Sequence, residues 1–269
     1  MGKIIVIANA KGGVGKTTTT INLGDALSRM GRKVLLVDVD PQRGNLTRAM
    51  GYDHGELKYT LTNVMAAAID FPEALSRILE GTLLCHDKVD LLPATKNLGG
   101  IADRLVVMKN SLYTGGDQCV RVLRSSFQPI RDRYDYIIID CAPQTDMLLI
   151  NALAAADEVI IPVQAEYLAE EGIPDILETV CAVRNSYNPA LKVAGILITL
   201  CHTTFNLCRD VRATIMEVYG RDYHIFEEPI SYSVRVAEHP VYGESIISYE
   251  PKNPAALAYQ ALAREVAAN

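Results

Sequence analysis

The stretch AKGGVGKTT, residues 10–18, follows a short apolar run, KIIVIA, and leads into a segment with helical spacing. Loops of the form G-x-x-x-x-G-K-[ST] between a strand and a helix bind nucleotide phosphates. Gly15, Lys16 and Thr17 match this form, whereas Ala10 replaces its first glycine. The stretch therefore predicts a phosphate-binding loop, the P-loop, at the start of an α/β fold.

The residue types of this loop suit a phosphate ligand. Gly12, Gly13 and Gly15 permit backbone conformations closed to other residues, which turn N–H groups toward phosphate oxygens. The helix that follows adds the positive end of its dipole. We expect Lys16 to reach the β- and γ-phosphates and the Thr17 hydroxyl to bind Mg²⁺. The expected nucleotide contacts are Lys11, Gly12, Gly13, Val14, Gly15, Lys16, Thr17 and Thr18.

Apolar runs such as IIVIA, VLLVD and YIIID have no polar face, which is typical of strands buried between two helix layers. The pattern predicts strands at residues 3–8, 33–39, 89–92, 136–140, 158–163 and 192–200, and helices at residues 17–30, 117–131, 167–187 and 206–219. This alternation predicts a doubly wound α/β fold, a mostly parallel sheet flanked by helices, in a single domain over residues 1–269. The periodic spacing of apolar residues that indicates helices and strands is weakest between residues 51 and 116.

Two predicted strands end in carboxylates. Asp38 and Asp40 follow VLL at the end of the second strand, where doubly wound folds bind their ligands. Asp140 ends the strand in RYDYIIIDCAP, which has the character of a Walker B strand. We expect Asp140 to hold Mg²⁺ through water.

Composition excludes several classes of protein. The chain has a net charge of −6, so nucleic acid could be bound only by a local basic patch. Its six cysteines form no C-x-x-C pair, and we expect neither a zinc site nor a disulfide. No apolar run approaches the ~20 residues that span a bilayer. The N-terminus lacks a signal-peptide pattern, which predicts a cytoplasmic location.

The motif KGGVGKTT resembles the deviant Walker A loop of the ParA/MinD superfamily. The D-x-D-P-Q segment at residues 38–42, VQAEYLAEEGI at residues 163–173 and the closing segments SVRVAEHPVYGESI and YEPKNPAALAYQALAREV are also similar to that family, so the resemblance runs from Lys3 to Val266. It implies an ATPase that uses ATP and Mg²⁺ and dimerises around the nucleotide. In that family the lysine at the position of Lys11 contacts the nucleotide held by the partner subunit.

The same resemblance assigns further roles. It implies that Asp40 orients or activates the attacking water, so that the catalytic residues are Lys11, Lys16 and Asp40. Asp38 would support the Mg²⁺ shell, giving the metal set Thr17, Asp38 and Asp140. It also puts adenine-contacting backbone near residues 229–231. Arg43 interrupts the family's usual D-P-Q-G-N order, and Gln144 stands where a second proline is common.

Particular residues of this chain disfavour two branches of the family, the membrane-binding proteins and the iron–sulfur proteins. The C-terminal segment AALAYQALAREVAAN lacks the basic face of a membrane-binding helix. The cysteine spacing does not match an iron–sulfur cluster. The chain is therefore similar to the short ParA proteins, which bind non-specific DNA as ATP-bound dimers. Arg235, with Arg209 and Arg212, is the candidate DNA surface, although Thr204 stands where the family often has arginine and His202 where it has an acid.

The resemblance implies a partitioning ATPase for a plasmid or chromosome, on nucleoid DNA, with a ParB-like partner that stimulates hydrolysis. An alternative is a positioning or regulatory ATPase that acts on a protein cargo without binding DNA. A third is an ATP-dependent amide-forming enzyme, for which the sequence offers no motif of a second substrate pocket.

Overall fold

A computed structural model describes residues 1–42, 44–86, 88–111, 117–166, 172–202, 206–238 and 243–268. Within these ranges the strands are β1 (Lys3–Ile7), β2 (Val34–Val39), β3 (Leu84–His86), β4 (Val89–Leu92), β5 (Tyr136–Cys141), β6 (Glu158–Gln164) and β7 (Lys192–Thr199). They form one sheet in the order β3-β4-β2-β5-β1-β6-β7. The pairs are parallel apart from the β3–β4 hairpin, which is antiparallel. The predicted doubly wound, mostly parallel sheet is confirmed.

The helices in the same ranges are α1 (Lys16–Arg29), α2 (Asn45–Ala49), α3 (Leu61–Asp70), α4 (Leu75–Glu80), α5 (Leu98–Asn110), α6 (Val122–Phe127), α7 (Met147–Ala155), α8 (Gly172–Ser186), α9 (Asn206–Tyr219), α10 (Val234–Glu238), α11 (Ile246–Tyr249) and α12 (Pro254–Ala268). Short 3₁₀ turns occur at Pro72–Ala74, Gln118–Val120 and Arg131–Arg133. None of these helices combines the length and the apolar character needed to cross a bilayer.

Two helix predictions differ from the structure. The helix predicted over residues 117–131 is shorter, because a 3₁₀ turn precedes α6 and a second one follows it at Arg131–Arg133. The helix predicted from residue 167 is described only from Gly172 onward, and residues 167–171 lie outside the described ranges. Helix α7 was not predicted, since eight of the nine residues in MLLINALAA are apolar and leave no helical periodicity.

The sheet separates two apolar cores. Ile4 and Val6 of β1 point into one core, which holds buried residues of α3, α5, α6, α7 and α8. Ile5 and Ile7 point into the other, which holds buried residues of α1, α11 and α12. Successive side chains of a strand face opposite sides of the sheet, so strands between two helix layers must be apolar throughout. This explains why IIVIA and YIIID lack a polar face.

A disulfide joins Cys201, just after β7, to Cys208 in the first turn of α9. The Cα atoms lie 5.5 Å apart. The expectation of no disulfide is therefore wrong for this pair. Two cysteines seven residues apart match no spacing pattern from which a disulfide could be predicted in a sequence. Leu200, next to Cys201 at the strand end, has a left-handed backbone conformation, with φ 54°.

Candidate functional site

A cavity of about 290 Å³ lies at the carboxyl end of the central strands. Its lining combines the P-loop with the ends of β2 and β5, and consists of Gly12, Gly13, Gly15, Lys16, Thr17, Thr18, Asp40, Asn45, Asp140, Cys141, Ala142 and Pro143. The register of the sheet explains this convergence, because Asp38 of β2 pairs directly with Asp140 of β5. Most of the site residues predicted from the sequence therefore meet in one place.

The glycines of the P-loop have different roles. Gly13 and Gly15 adopt left-handed backbone conformations, with φ of 78° and 84°. A side chain at either position would be strained, so glycine is required there. Gly12 does not have a positive φ, contrary to the prediction. A Cβ at Gly12 would instead lie 3.9 Å from the Pro143 side chain, at the cavity wall.

Two polar contacts that were not predicted from the sequence fix the P-loop to its neighbours. The buried Asn9 side chain donates to the Pro162 carbonyl at 2.7 Å and accepts from the Lys11 N–H at 2.9 Å. The Thr199 hydroxyl at the end of β7 donates to the Val14 carbonyl at 2.9 Å. The loop is thus held by two strands on one side of β1.

Lys16 opens helix α1 and is only 7% exposed. Its ammonium group donates to the Lys11 carbonyl at 2.8 Å, which holds it over the P-loop. Desolvation lowers the pKa of Lys16, and the nearby Asp140 carboxylate opposes this shift. A desolvated cation interacts strongly with an anion that reaches it, so the position of Lys16 suits a phosphate-binding group.

Thr17 and Asp140 form the pair expected of a divalent-cation site. The Thr17 hydroxyl donates to Oδ2 of Asp140 at 2.7 Å, while the buried Oδ1 of Asp140 has no hydrogen-bond partner in the described ranges. Burial, and then the charge of Asp38, raise the pKa of Asp140 well above its usual range. A hydroxyl and an unpartnered carboxylate oxygen are the hard ligands that suit Mg²⁺, and a cation here would stabilise the ionised form of Asp140.

Asp40 is 4% exposed and lines the same cavity. Its Oδ1 accepts from the Gln42 N–H at 2.8 Å, and its Oδ2 accepts from the Asn45 side-chain amide at 2.7 Å. Asn45 was not predicted as a site residue. These two donors fix the direction of the carboxylate, which suits a group that orients a water molecule rather than one that swings freely.

Asp38 does not line the cavity. It is fully buried, and its oxygens accept from the Thr47 N–H at 2.8 Å, the Thr47 hydroxyl at 2.6 Å and the Asp40 N–H at 3.0 Å. Burial raises the pKa of Asp38 to about 7, against these three donors, which favour the anion. Asp38 therefore acts on the cavity indirectly, by holding the chain segment that carries Asp40 and Asn45.

Lys11 is placed differently from the rest of the loop. It is not among the residues that line the cavity in the described ranges. Its ammonium group lies 3.9 Å from the carboxylate of Glu166, and the two side chains are 34% and 53% exposed. An ion pair this exposed contributes about 0–1 kcal/mol. Lys11 is therefore directed away from its own phosphate cavity and is weakly held.

The three arginines predicted to bind DNA lie on the surface, and each has a local partner. Arg235 pairs with Glu238 at 2.9 Å, and Arg209 lies 3.9 Å from Asp210. Arg212 donates to the Glu227 carbonyl. Arg209 and Arg212 share α9, whereas Arg235 is on α10. Residue Thr204 lies outside the described ranges.

The segment predicted to contact adenine is joined to the end of β7. Ile230 donates to the Ile198 carbonyl at 2.8 Å, and Cys201 donates to the Ile230 carbonyl at 2.9 Å. Thr199, which holds the P-loop, lies between these contacts. Residues 229–231 are thus tied to the same strand end that supports the P-loop.

Comparison with known proteins agrees with this geometry. A family model described as an AAA domain matches residues 2–193. The sporulation initiation inhibitor protein Soj of Bacillus subtilis is 40% identical over 269 residues, covering 100% of both chains. The chromosome partitioning protein ParA of Myxococcus xanthus is 37% identical and covers 99% of this chain and 88% of its own. The solved structure of cobyrinic acid a,c-diamide synthase from Mycobacterium smegmatis with bound ADP and magnesium is 32% identical, with a TM-score of 0.80 and coverage of 98% and 93%. The chain therefore belongs to the ParA/MinD-type P-loop ATPases, the family that its loop at residues 10–18 resembles.

Proposed function

We propose that this protein is a ParA-type ATPase in which ATP and Mg²⁺ bind at the P-loop cavity and drive a sandwich dimer. The observation that carries the proposal is the convergence of Lys16, Thr17, Asp140 and Asp40 on one cavity of about 290 Å³. Relatives with 37–40% identity over nearly the whole chain are named as Soj and ParA. The M. smegmatis structure with ADP and magnesium supports the same ligands.

The residues of the cavity have separate roles in phosphoryl transfer. The P-loop N–H groups and Lys16 hold the phosphates, and Thr17 and Asp140 hold Mg²⁺, which supplies positive charge to the transferred phosphoryl group. Asp40, fixed by Gln42 and Asn45, orients the attacking water. The cavity itself offers no second cation on the γ-phosphate side among its described lining residues. That charge is the contribution we assign to Lys11 of a second copy.

Lys11 supports the dimer proposal because its side chain leaves its own cavity and is held only by Glu166 within the described ranges. A cation supplied from the partner neutralises charge that develops during phosphoryl transfer, as an arginine finger does. Since each nucleotide would then be bound by both chains, nucleotide binding and dimerisation become thermodynamically linked.

Replacing Lys11 by alanine should prevent the ATP-dependent dimer while leaving ATP binding to the monomer. The measurement is light scattering after size exclusion in ATP–Mg²⁺, in an Asp40→Ala background that slows hydrolysis. Lys192→Ala, which removes an exposed lysine at the start of β7, is the control and should still dimerise. A monomer in the Asp40→Ala parent would contradict the sandwich model itself.

We propose further that the dimer binds DNA without sequence specificity through Arg209, Arg212 and Arg235, and that a ParB-like protein stimulates its hydrolysis. Support comes from the named relatives and from the exposure of Arg209 and Arg235, whose side chains are 80% and 57% exposed. Their surface ion pairs are weak enough to be exchanged for phosphate contacts.

The triple variant Arg209→Ala/Arg212→Ala/Arg235→Ala should bind random duplex DNA at least about tenfold more weakly, because a protein that neutralises fewer phosphates releases fewer of the counterions whose release drives binding. A gel shift with the ATP-locked dimer at several salt concentrations measures this, and the salt dependence should become shallower. The control Arg77→Ala/Arg184→Ala removes two exposed arginines on α4 and α8. Equal binding by both variants would show that other residues form the DNA surface.

The alternative is a ParA-like positioning ATPase that acts on a protein cargo without DNA. The net charge of −6 and the local partners of all three arginines favour it. The absence of any DNA shift by the locked dimer at low salt would select this alternative. An amide-forming activity is supported by the M. smegmatis synthase structure, which has lower identity to this chain than the Soj and ParA relatives.

A further inference from the structure

A second cavity, of about 420 Å³, lies behind the segment that carries Asp40. Its described lining residues are Gln42, Arg48, His54, Gly55, Thr95, Lys96 and Asn97. These include two cations and no carboxylate, in a chain whose net charge is −6. A concave site lined by donors and positive charge selects an anion.

The two cations of this cavity are available to a ligand. Arg48 at the end of α2 and Lys96 just before α5 are both exposed. Neither makes an ion pair with any residue that the structure describes. Arg131, by contrast, is held by the Asp157 carboxylate at 2.6 Å. Arg48 and Lys96 converge on one cavity whose described lining offers them no protein anion.

The N-terminus of helix α5 also favours an anion at this cavity. Its first turn contains no acidic residue, and Asn97 at its N-cap makes no side-chain capping bond. The Gly99 and Gly100 N–H groups already donate to the Lys96 and Asn97 carbonyls, at 3.2 and 3.1 Å, so α5 acts on the cavity through its dipole. The dipole of a helix whose first turn holds no acidic residue stabilises an anion near that end.

A buried hydroxyl supplies an independent sign of a ligand. Thr95 lines the cavity with only 8% of its surface exposed, and its Oγ1 makes no hydrogen bond within the described ranges. Nε2 of His54 is likewise buried and unpartnered there. An unsatisfied buried polar atom costs about 1–3 kcal/mol, so such atoms usually have a partner. Thr95 thus contributes an unsatisfied hydroxyl to a cavity that also holds two cations, a combination that suits a phosphate group.

We propose that this cavity binds the phosphate group of a small ligand, at a site separate from the ATP cavity. Its volume falls in the range of small-molecule sites. Gln42 lines this cavity, and its N–H donates to the carboxylate of Asp40, which lines the ATP cavity, so the two cavities are neighbours. The site is independent of the DNA contacts proposed above.

Amide NMR on the ¹⁵N-labelled full chain tests the site residue by residue, with inorganic phosphate as the probe at constant ionic strength. The Gly99 and Gly100 signals should shift along a saturating curve, distinct from any shift of Gly13 and Gly15 at the P-loop. In Arg48→Gln/Lys96→Gln the apparent Kd at Gly99 should rise about tenfold or more, because the variant lacks two charge-assisted hydrogen-bond donors. Arg77→Gln/Arg184→Gln, which removes two cations elsewhere, should leave it unchanged.

Adenosine 5′-monophosphate and a short DNA duplex distinguish the source of the phosphate. Shifts at Gly99 with inorganic phosphate and the monophosphate support the proposal. It is overturned if these signals do not move, if Arg48→Gln/Lys96→Gln binds as well as the native chain, or if the duplex alone shifts them. The last result would assign the cavity to a nucleic-acid surface instead.

Discussion

Replacing Lys16 by alanine should weaken ATP–Mg²⁺ binding by at least about 100-fold, the largest effect expected of any single substitution in the cavity. Lys16 is 7% exposed, and its ammonium group lies over the P-loop. A charge-assisted hydrogen bond contributes about 1.5–3 kcal/mol, so removing the group that binds two phosphates costs more than a hundredfold in affinity. Isothermal titration calorimetry in excess Mg²⁺ measures the change.

The nucleotide-free Lys16→Ala protein should melt at a temperature no lower than the native protein. Desolvation lowers the pKa of Lys16, which means that the fold disfavours its charged form, so removing the charge does not destabilise the empty site. Lys192→Ala is the control and should bind ATP normally. Affinity within threefold of the native value would contradict the assignment of Lys16. A large fall in melting temperature would show that the weaker binding is a folding defect.

The sequence predicts the parts of this site that are local in the chain. A glycine-rich loop followed by Lys16 and Thr17 carries its function within eight residues, and continuous apolar runs mark the buried strands. The carboxylates at 40 and 140 could be predicted because each ends such a run, and parallel strands present their ends at one edge.

The contacts that position these groups could not be predicted. The bond between Asn9 and Pro162 joins residues 153 positions apart, and that between Thr199 and Val14 joins residues 185 apart. A single polar residue near the end of a strand belongs to no sequence pattern, so its distant hydrogen-bond partner cannot be recognised from the sequence. Nor could the place of Asp38 be predicted: its position in the motif suggests a role near the cation, whereas in the structure its carboxylate is buried and accepts from the N–H and hydroxyl groups of Thr47.

Asp40→Ala should lower the rate constant of ATP hydrolysis by at least about 100-fold while the affinity for ATP stays within about threefold. A positioned group that assists a proton or water in the transition state contributes about 10²–10⁴-fold. Asp40 lines the cavity, and its carboxylate is aimed by the Gln42 N–H and the Asn45 amide. Single-turnover hydrolysis and calorimetry measure the two quantities separately. Asp132→Ala, an exposed carboxylate next to the N-terminus, is the control.

Asn45→Ala tests whether the direction of the Asp40 carboxylate matters. It leaves the charge in place and removes a donor that aims it, so hydrolysis should fall by an intermediate factor, about tenfold. The pattern of rate changes separates two roles for Asp40. If Asp40 orients water, both variants lower the rate and spare ATP binding. If it holds the cation instead, Asp40→Ala raises the Mg²⁺ concentration needed for ATP binding, and Thr17 and Asp140 do not suffice as the metal site.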